Sequence, residues 1–207
     1  MSSEALGSLN WDKMQGLLPA VVQDADTLQV LMLGYLNQAA LMQTQTSGWV
    51  TFYSRSRQRL WQKGELSGNK LRVVAIQADC DEDALLISAR PEGPTCHRGT
   101  TGCFGADSAP GCGFLAHLGR LIDRRHEEPM EGSYTSTLLA AGTKRMAQKV
   151  AEEAVEVALA AMEPDPEAVA HETADLIYHV LVLLRGYGLP FYRVIEVLRA
   201  RHRPESR

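Results

Sequence analysis

The chain has 207 residues, of which 45% are hydrophobic and 22% are charged, with 21 basic against 25 acidic side chains and a net charge of −4. This composition is typical of a globular protein of one large or two small domains, excludes a disordered or fibrous chain, and disfavours a broad basic face for nucleic acid. The longest aliphatic run, residues 180–184, is far shorter than the roughly 18 residues that a membrane span needs, and the N-terminus lacks a secretory pattern, so we expect a cytoplasmic protein without a membrane partner.

Short runs rich in β-branched and aliphatic residues dominate the first half of the chain. They are separated by turn residues, as strands are, and they cover residues 28–32, 49–53, 71–76 and 84–88. Small residues and proline then fill residues 105–113, which suits a connection between domains. We therefore predict a β-rich first domain, residues 1–114, and a second domain, residues 115–207.

Helical periodicity dominates the second half. Proline and glycine separate the segments, which we place at residues 114–125, 143–162, 167–185 and 191–202, with one more short helix around Leu138. The second domain is thus predicted to be an all-helical bundle. Neither a G-x-G-x-x-G fingerprint nor a Walker A loop occurs, which argues against dinucleotide and P-loop chemistry.

Three cysteines lie close together in the first domain, at Cys80, Cys96 and Cys103. In a reducing compartment they are unlikely to form disulfides, and three thiolates suit a Zn²⁺ ion that keeps its fourth position for water. Their spacing is not that of a structural finger, and buried cysteine as a small hydrophobe remains the alternative. We assign Cys112, alone in the connection, to that alternative.

Acidic residues alternate at Asp79, Asp81 and Asp83. On a strand they would share one face, where mutual repulsion favours a bound cation, although a solvated strand end is also possible. A regular strand would then point Cys80 to the opposite face. We therefore expect either that Cys80 meets Cys96 and Cys103 across the interface of a homodimer or that the strand is irregular there.

Basic and small polar residues between positions 54 and 70 could bind a phosphate. A charged hairpin in water is the alternative. The candidate binding residues are Arg55, Arg57, Lys63, Ser67, Gly68 and Asn69.

Carboxylates gather on two predicted helices of the second domain. The first helix carries Glu152, Glu153 and Glu156 beside Lys149, and the second carries Glu172 and Asp175, with His179 one turn further. Facing each other, these groups would form an oxygen-rich Mg²⁺ site suited to polyphosphate hydrolysis, whereas the alternative is a solvated acidic face.

These motifs together resemble two enzyme families of histidine biosynthesis. The motifs that resemble phosphoribosyl-AMP cyclohydrolase are at residues 11–12, 51–57, 60–69, 79–83, 93–97 and 103–104. Those that resemble phosphoribosyl-ATP pyrophosphohydrolase are at residues 133–135, 142–145, 149–156 and 172–179. The order is that of the bacterial bifunctional enzymes. The resemblance implies a zinc-binding, dimeric α+β first domain and a second domain of the all-α NTP pyrophosphohydrolase type.

The resemblance also implies roles for these residues. The second domain would release pyrophosphate from phosphoribosyl-ATP with Mg²⁺ on its five carboxylates, with Lys149 and Glu153 as catalytic groups. The first would open the adenine ring of phosphoribosyl-AMP between N1 and C6 with water on Zn²⁺, His97 being the proton shuttle. Family members also place Mg²⁺ on the three aspartates and share the zinc site between subunits.

Two other interpretations lead to different expectations. A zinc nucleobase deaminase would use similar chemistry, but its H-x-E and P-C-x-x-C signature is absent. A non-enzymatic zinc module with a helical dimerisation domain would unfold when Cys96 is replaced. A catalytic zinc site would instead lose only the ring-opening activity.

Overall fold

The computed structural model describes residues 9–105, 109 and 111–202. The chain divides into two compact units, Met1–Phe114 and Leu115–Arg207. Four of the nine residues of the predicted connection, 106–108 and 110, lie outside the described residues. The strand-rich unit and the helical unit agree with the predicted two-domain layout.

The first unit contains a four-stranded sheet, a separate hairpin and one helix. Its elements are β1 (Leu18–Asp24), β2 (Val30–Leu36), α1 (Gln38–Ser47), β3 (Thr51–Ser54), β4 (Arg59–Gln62), β5 (Leu71–Ala78) and β6 (Leu85–Pro91). The sheet order is β2-β1-β6-β5, and β3 pairs with β4. The β1–β6 pair is parallel, and the other pairs are antiparallel.

Four of these strands correspond to the predicted runs, whereas β1, β4 and α1 were not predicted. Strand β1 contains Pro19, which argues against a central strand because proline cannot donate to a ladder. The proline is tolerated because pairing with β6 begins only at Ala20. Every second residue of β1, from Leu18 to Asp24, is buried.

The core of the first unit lies between the sheet, α1 and the β3–β4 hairpin. Phe52 of β3 is fully buried in it. Gly34 of β2 permits this packing, because a Cβ atom at this position would lie 2.3 Å from Cδ1 and Cε1 of the Phe52 ring. The hairpin is thereby held against the sheet.

The second unit is entirely helical in its described part. It contains α2 (Gly113–Glu127), which begins just before the boundary, α3 (Tyr134–Ala140), α4 (Gly142–Ala160), α5 (Pro166–Gly186) and α6 (Phe191–Arg201). All five predicted helices are confirmed to within about two residues at most ends. No helix in the described ranges combines the length and apolar character that crossing a bilayer demands.

Local signals explain how the helices begin. Asp165 caps α5 by accepting hydrogen bonds from the backbone N–H groups of Glu167 and Ala168, and Pro166 occupies the first turn, where its missing N–H is not needed. Ser133 caps α3 in the same way through the N–H of Ser136. The buried core is small and consists of Ile122, Leu138, Met146, Leu181 and Val182.

Candidate active sites

A cavity of about 570 Å³ lies in the first unit, beside the β3–β4 hairpin. Seven of the predicted site residues line it: Arg57, Lys63, Ser67, Asn69, Cys96, His97 and Cys103. The cavity thus brings two thiols, an imidazole and the cationic and polar side chains predicted to bind phosphate together. Trp61 of β4 also lines it and packs on Phe52 with ring centroids 5.2 Å apart.

The structure places some predicted residues elsewhere. The guanidinium of Arg55 lies over the ring of Tyr35, 3.8 Å from its centroid, rather than on the cavity wall. Gly68 is also outside the described lining, between Ser67 and Asn69, which do line the cavity. Trp61 and Arg59 were missed as candidates, although recognition of β4 would have placed both beside the basic run.

The loop that carries Cys96 and Cys103 is fixed by backbone hydrogen bonds. The N–H of Cys96 donates to the carbonyl oxygen of Thr100 at 3.1 Å, which forms a tight turn. The N–H of Cys103 donates to the carbonyl oxygen of Leu31 at 2.7 Å, which anchors the loop to β2. The cavity therefore has a sulfur-lined end of fixed backbone geometry.

The two thiols at this end are electrostatically different. The backbone N–H of Arg98, followed by the Thr100 side chain, lowers the pKa of Cys96. Desolvation, followed by the charge of Cys96, raises the pKa of Cys103. Desolvation also lowers the pKa of Lys63, against the opposing effect of the two cysteine sulfurs. His97 Nδ1 lies 3.9 Å from Cys96 Sγ.

Cys80 is not part of this arrangement within one chain. It follows β5, is exposed, and has its Sγ atom 4.0 Å from Asp81 Oδ1. Among the described residues, neither group of three closely spaced metal-ligating side chains includes a cysteine. A single subunit therefore offers two of the three predicted sulfur ligands at the cavity.

The aspartate trio, Asp79, Asp81 and Asp83, lies on a turn. The chain is not a strand at these residues, since β5 ends at Ala78 and β6 begins at Leu85. Asp79 Oδ1 closes the turn by accepting hydrogen bonds from the N–H groups of Asp83 (3.0 Å) and Ala84 (3.1 Å). The irregular alternative is confirmed.

The turn still gathers the three carboxylates. One oxygen of each lies within 4.8 Å of the other two. Lys13 Nζ lies 2.5 Å from Asp81 Oδ2 and also contacts Asp83 Oδ2. Its ammonium group lowers the pKa of Asp81, and the two carboxylates raise the pKa of Lys13. The oxygen donors fit a hard cation, which would compete with Lys13 for the same negative charge.

A second carboxylate group lies between α4 and α5. It consists of Glu153 and Glu156 from α4 and Glu172 from α5, whose ligand oxygens lie within 4.8 Å of one another. Asp175 and Glu152 are outside it. Glu152 instead contacts Arg145 at 3.2 Å and Lys149 at 3.1 Å, on the exposed side of α4.

The central carboxylate of this group is buried. Glu153 is 4% exposed, and its Oε1 atom lies 2.5 Å from Lys149 Nζ. The Lys149 ammonium lowers the pKa of Glu153, against the desolvation that raises it. The hydrogen bond with Glu153 raises the pKa of Glu156, and the charge of Glu172 adds to this. A divalent cation would relieve this repulsion, so the residues fit Mg²⁺.

Comparison with known proteins finds a family model for each of the two units. The family model for phosphoribosyl-AMP cyclohydrolase matches residues 32–105, and that for phosphoribosyl-ATP pyrophosphohydrolase matches residues 115–202. The first match contains the cavity and the aspartate trio. The second contains the carboxylates of α4 and α5.

Relatives cover nearly the whole chain. The "Histidine biosynthesis bifunctional protein HisIE" of Xanthomonas axonopodis pv. citri is 55% identical over 201 residues, which are 97% of this chain and 96% of the relative. The protein of the same name from Xylella fastidiosa (strain Temecula1) is 56% identical over 98% of this chain and 97% of its own length. That of Escherichia coli (strain K12) is 55% identical over 94% of this chain and 95% of its own. The chain therefore belongs to the bifunctional histidine-biosynthesis hydrolases, with a phosphoribosyl-AMP cyclohydrolase domain followed by a phosphoribosyl-ATP pyrophosphohydrolase domain.

Proposed function

We propose that the two units catalyse successive hydrolyses at the residues identified above. The second unit removes pyrophosphate from phosphoribosyl-ATP, and the first opens the adenine ring of the resulting phosphoribosyl-AMP between N1 and C6. The observation that carries this proposal is the cavity in which Cys96, His97 and Cys103 share walls with Arg57 and Lys63. The cavity combines side chains that could bind a metal ion with cationic side chains that could bind a phosphate, and a nucleoside monophosphate substrate needs both.

In the first unit, Cys96 and Cys103 would hold Zn²⁺ together with Cys80 of a second copy. A zinc ion bound by three thiolates leaves one position for a water molecule, whose pKa it lowers. Arg57, Lys63, Ser67 and Asn69 bind the phosphate and ribose groups of the substrate and hold its adenine ring toward the sulfur-lined end.

The proton balance of ring opening assigns a role to His97. A water oxygen adds to C6, the C6–N1 bond breaks, and N1 gains a proton. His97 lines the cavity next to Cys96, and an imidazole can both accept and donate a proton, so His97 accepts a proton from the water and returns it to the leaving nitrogen.

In the second unit, Glu153, Glu156 and Glu172 would hold Mg²⁺, with Glu152 and Asp175 as further ligands after rotation of their side chains. The ion would neutralise the triphosphate and orient a water molecule. Lys149 keeps Glu153 ionised and fixes its carboxylate through the 2.5 Å contact. The water oxygen forms a bond to the α phosphorus, the bond from that phosphorus to the α–β bridging oxygen breaks, pyrophosphate leaves with that oxygen, and a proton of the water is released. We also assign Mg²⁺ to the aspartate trio.

A homodimer with a shared zinc site is part of the proposal. It is supported by the separation of Cys80 from the cavity in one chain. It is also supported by large apolar side chains that stay exposed on the helices of the second unit, among them Leu159, Tyr192 and Leu198. A second copy would cover such surface.

The direct test is mass spectrometry of the products formed from phosphoribosyl-ATP with Mg²⁺ and Zn²⁺. The unchanged chain should give pyrophosphate and the ring-opened nucleotide. Cys96→Ser should stop at phosphoribosyl-AMP, and Glu153→Gln should leave the substrate intact. When the same two variants are given phosphoribosyl-AMP directly, Cys96→Ser should leave it unchanged. Glu153→Gln should still open its ring. An unchanged chain that neither releases pyrophosphate nor opens the ring would overturn the proposal.

A further inference from the structure

A buried histidine lies next to the carboxylate group of the second unit without belonging to it. His179 of α5 is 5% exposed, and its Nδ1 atom lies 3.7 Å from Oε1 of Glu153. Lys149 Nζ lies 2.5 Å from the same oxygen. One oxygen of the buried carboxylate therefore has the lysine ammonium and the histidine ring as neighbours.

Both ring nitrogens of His179 have hydrogen-bond partners. Nδ1 lies 2.8 Å from the backbone carbonyl oxygen of Asp175, and Nε2 lies 3.1 Å from the hydroxyl oxygen of Tyr134. A carbonyl oxygen only accepts, so Nδ1 carries the hydrogen, and in the neutral ring Nε2 accepts from the tyrosine hydroxyl. Neither nitrogen is left as a metal ligand, so the contribution of His179 to this site is to orient its neighbours.

The hydrogen-bond direction has a consequence for Glu153. The positive end of the Nδ1–H dipole lies on the side of the ring that is near Oε1 of Glu153, so the ring attracts this oxygen and orients the carboxylate. If the ring turned over, carbon atoms would replace this dipole. The hydroxyl of Tyr134 opposes such a rotation because it fixes the other end of the ring.

Tyr134 is itself held in place by the fold. It is the first residue of α3, directly after the capping Ser133. Its ring stacks on Tyr178 at a centroid distance of 6.4 Å and meets His179 edge to face at 6.0 Å. The residue is nevertheless 54% exposed, so burial of the tyrosine alone does not explain its position beside the carboxylates.

From this geometry we infer that Tyr134 and His179 are positioning residues of the pyrophosphohydrolase. Together they orient the Glu153 carboxylate for its cation, and α3 thereby becomes part of the active site. The inference rests on the proposed function, because it assumes that Glu153 binds Mg²⁺ during hydrolysis.

The same two helices supply a matched control. The hydroxyls of Thr135 and Tyr178 lie 2.7 Å apart, so they also form one side-chain hydrogen bond between α3 and α5. In the described structure, this second bond does not involve the carboxylates. Tyr134→Phe and Tyr178→Phe each remove one tyrosine hydroxyl and leave the ring contacts intact. A purely structural role of Tyr134 would therefore make the two variants behave alike.

The experiment compares these variants in the full-length chain. Pyrophosphate release is measured as kcat, KM and the Mg²⁺ concentration that gives half-maximal rate, and ring opening of phosphoribosyl-AMP checks the integrity of the other unit. We expect Tyr134→Phe to lower kcat roughly tenfold and to raise the Mg²⁺ requirement, because small displacements of a catalytic group have large effects on rate. The kcat and the Mg²⁺ requirement of Tyr178→Phe should stay within about twofold of those of the unchanged chain, although its melting temperature should be similar to that of Tyr134→Phe.

The effects of replacing Tyr134 and His179 should not add up, because the two residues act through the same hydrogen bond. His179→Gln should lower kcat to a similar extent, and the double variant with Tyr134→Phe should be hardly worse than either single variant. Should His179→Gln fail to fold, Tyr134→Phe alone still decides. Equal kinetics for Tyr134→Phe and Tyr178→Phe would overturn the inference.

A further measurement separates this inference from the proposed function. If the unchanged chain releases no pyrophosphate, the proposed function fails. Calorimetric titration with Mg²⁺ alone then tests the positioning. Binding that is weaker in Tyr134→Phe than in Tyr178→Phe supports it, and equal binding overturns it.

Discussion

The buried ion pair between Lys149 and Glu153 should control the stability of the helical unit. Their side chains are 18% and 5% exposed, and Nζ lies 2.5 Å from Oε1. Lys149→Met keeps the length and apolar stem of the side chain but removes the ammonium. The buried carboxylate then loses its nearest positive charge and keeps two weaker partners, the His179 ring and the hydrogen bond with Glu156. We expect the second unit to lose stability and pyrophosphohydrolase activity, and ring opening to persist.

The magnitude follows from the burial of the two groups. Breaking a fully buried pair by removing one partner costs about 3–5 kcal/mol. Lys149 keeps 18% exposure, so water can reach the vacated space, which reduces the expected loss to about 2–3 kcal/mol. For a unit of this size, 1 kcal/mol corresponds to about 4–8 °C, so its melting temperature should fall by about 10–20 °C.

Differential scanning calorimetry of the full chain measures this effect, with the transition of the first unit as internal reference. Arg145→Met is the matched control, because it removes the exposed partner of Glu152 on the same helix and should change the transition little. The double variant Lys149→Met/Glu153→Gln should regain most of the lost stability, since no charge is stranded. A Lys149→Met chain whose helical transition is unchanged would refute the reasoning.

Three further predictions concern the first unit. Gly34→Ala should lower the melting temperature of the first unit, because the new methyl group clashes with Phe52 at a cost of about 1–3 kcal/mol, and it should leave the helical transition unchanged. An unchanged melting temperature of the first unit in calorimetry would contradict the packing. Cys80→Ser and Cys96→Ser chains, each inactive in ring opening, should recover about a quarter of the activity when refolded together in equal amounts. About half of the dimers are then mixed, and one of the two shared sites in each mixed dimer is intact. No recovery would contradict a shared site. Lys13→Met should tighten Mg²⁺ binding at the aspartate trio in calorimetry, and unchanged affinity would argue against a cation there.

The helical unit could be predicted from the sequence almost completely. Its five helices have apolar residues at helical spacing, and Pro166 and the caps Ser133 and Asp165 mark where two of them begin. The first unit was predicted less well. Strand β4 is only four residues long, and β1 contains Pro19, so neither presents a clear alternating pattern. Their positions depend on long-range pairing, which a local pattern does not contain.

For the candidate sites, the sequence predicts which residues take part but not how their side chains are oriented. The proposed metal ligands could be named from their types and spacing, and the structure brings Glu153 and Glu156 next to Glu172. Their orientation depends on tertiary neighbours. Arg55 turns to Tyr35, and Glu152 turns to Arg145. The hydrogen bond from Tyr134 to His179 joins residues 45 positions apart, and no local signal reports it.

The parallel pairing of β1 with β6 bears on how the first unit folds during synthesis. Ala20 pairs with Leu85, so the first strand of the sheet must wait for the last one to leave the ribosome. Loops closed over such a distance form slowly, and the growing chain exposes the edge of β1 until then. The loop with Cys96 and Cys103 emerges directly afterwards and attaches to β2 through Leu31. The side chains proposed to bind zinc are therefore assembled late in synthesis, and a nascent chain that has not yet made β6 leaves one edge of β1 unpaired.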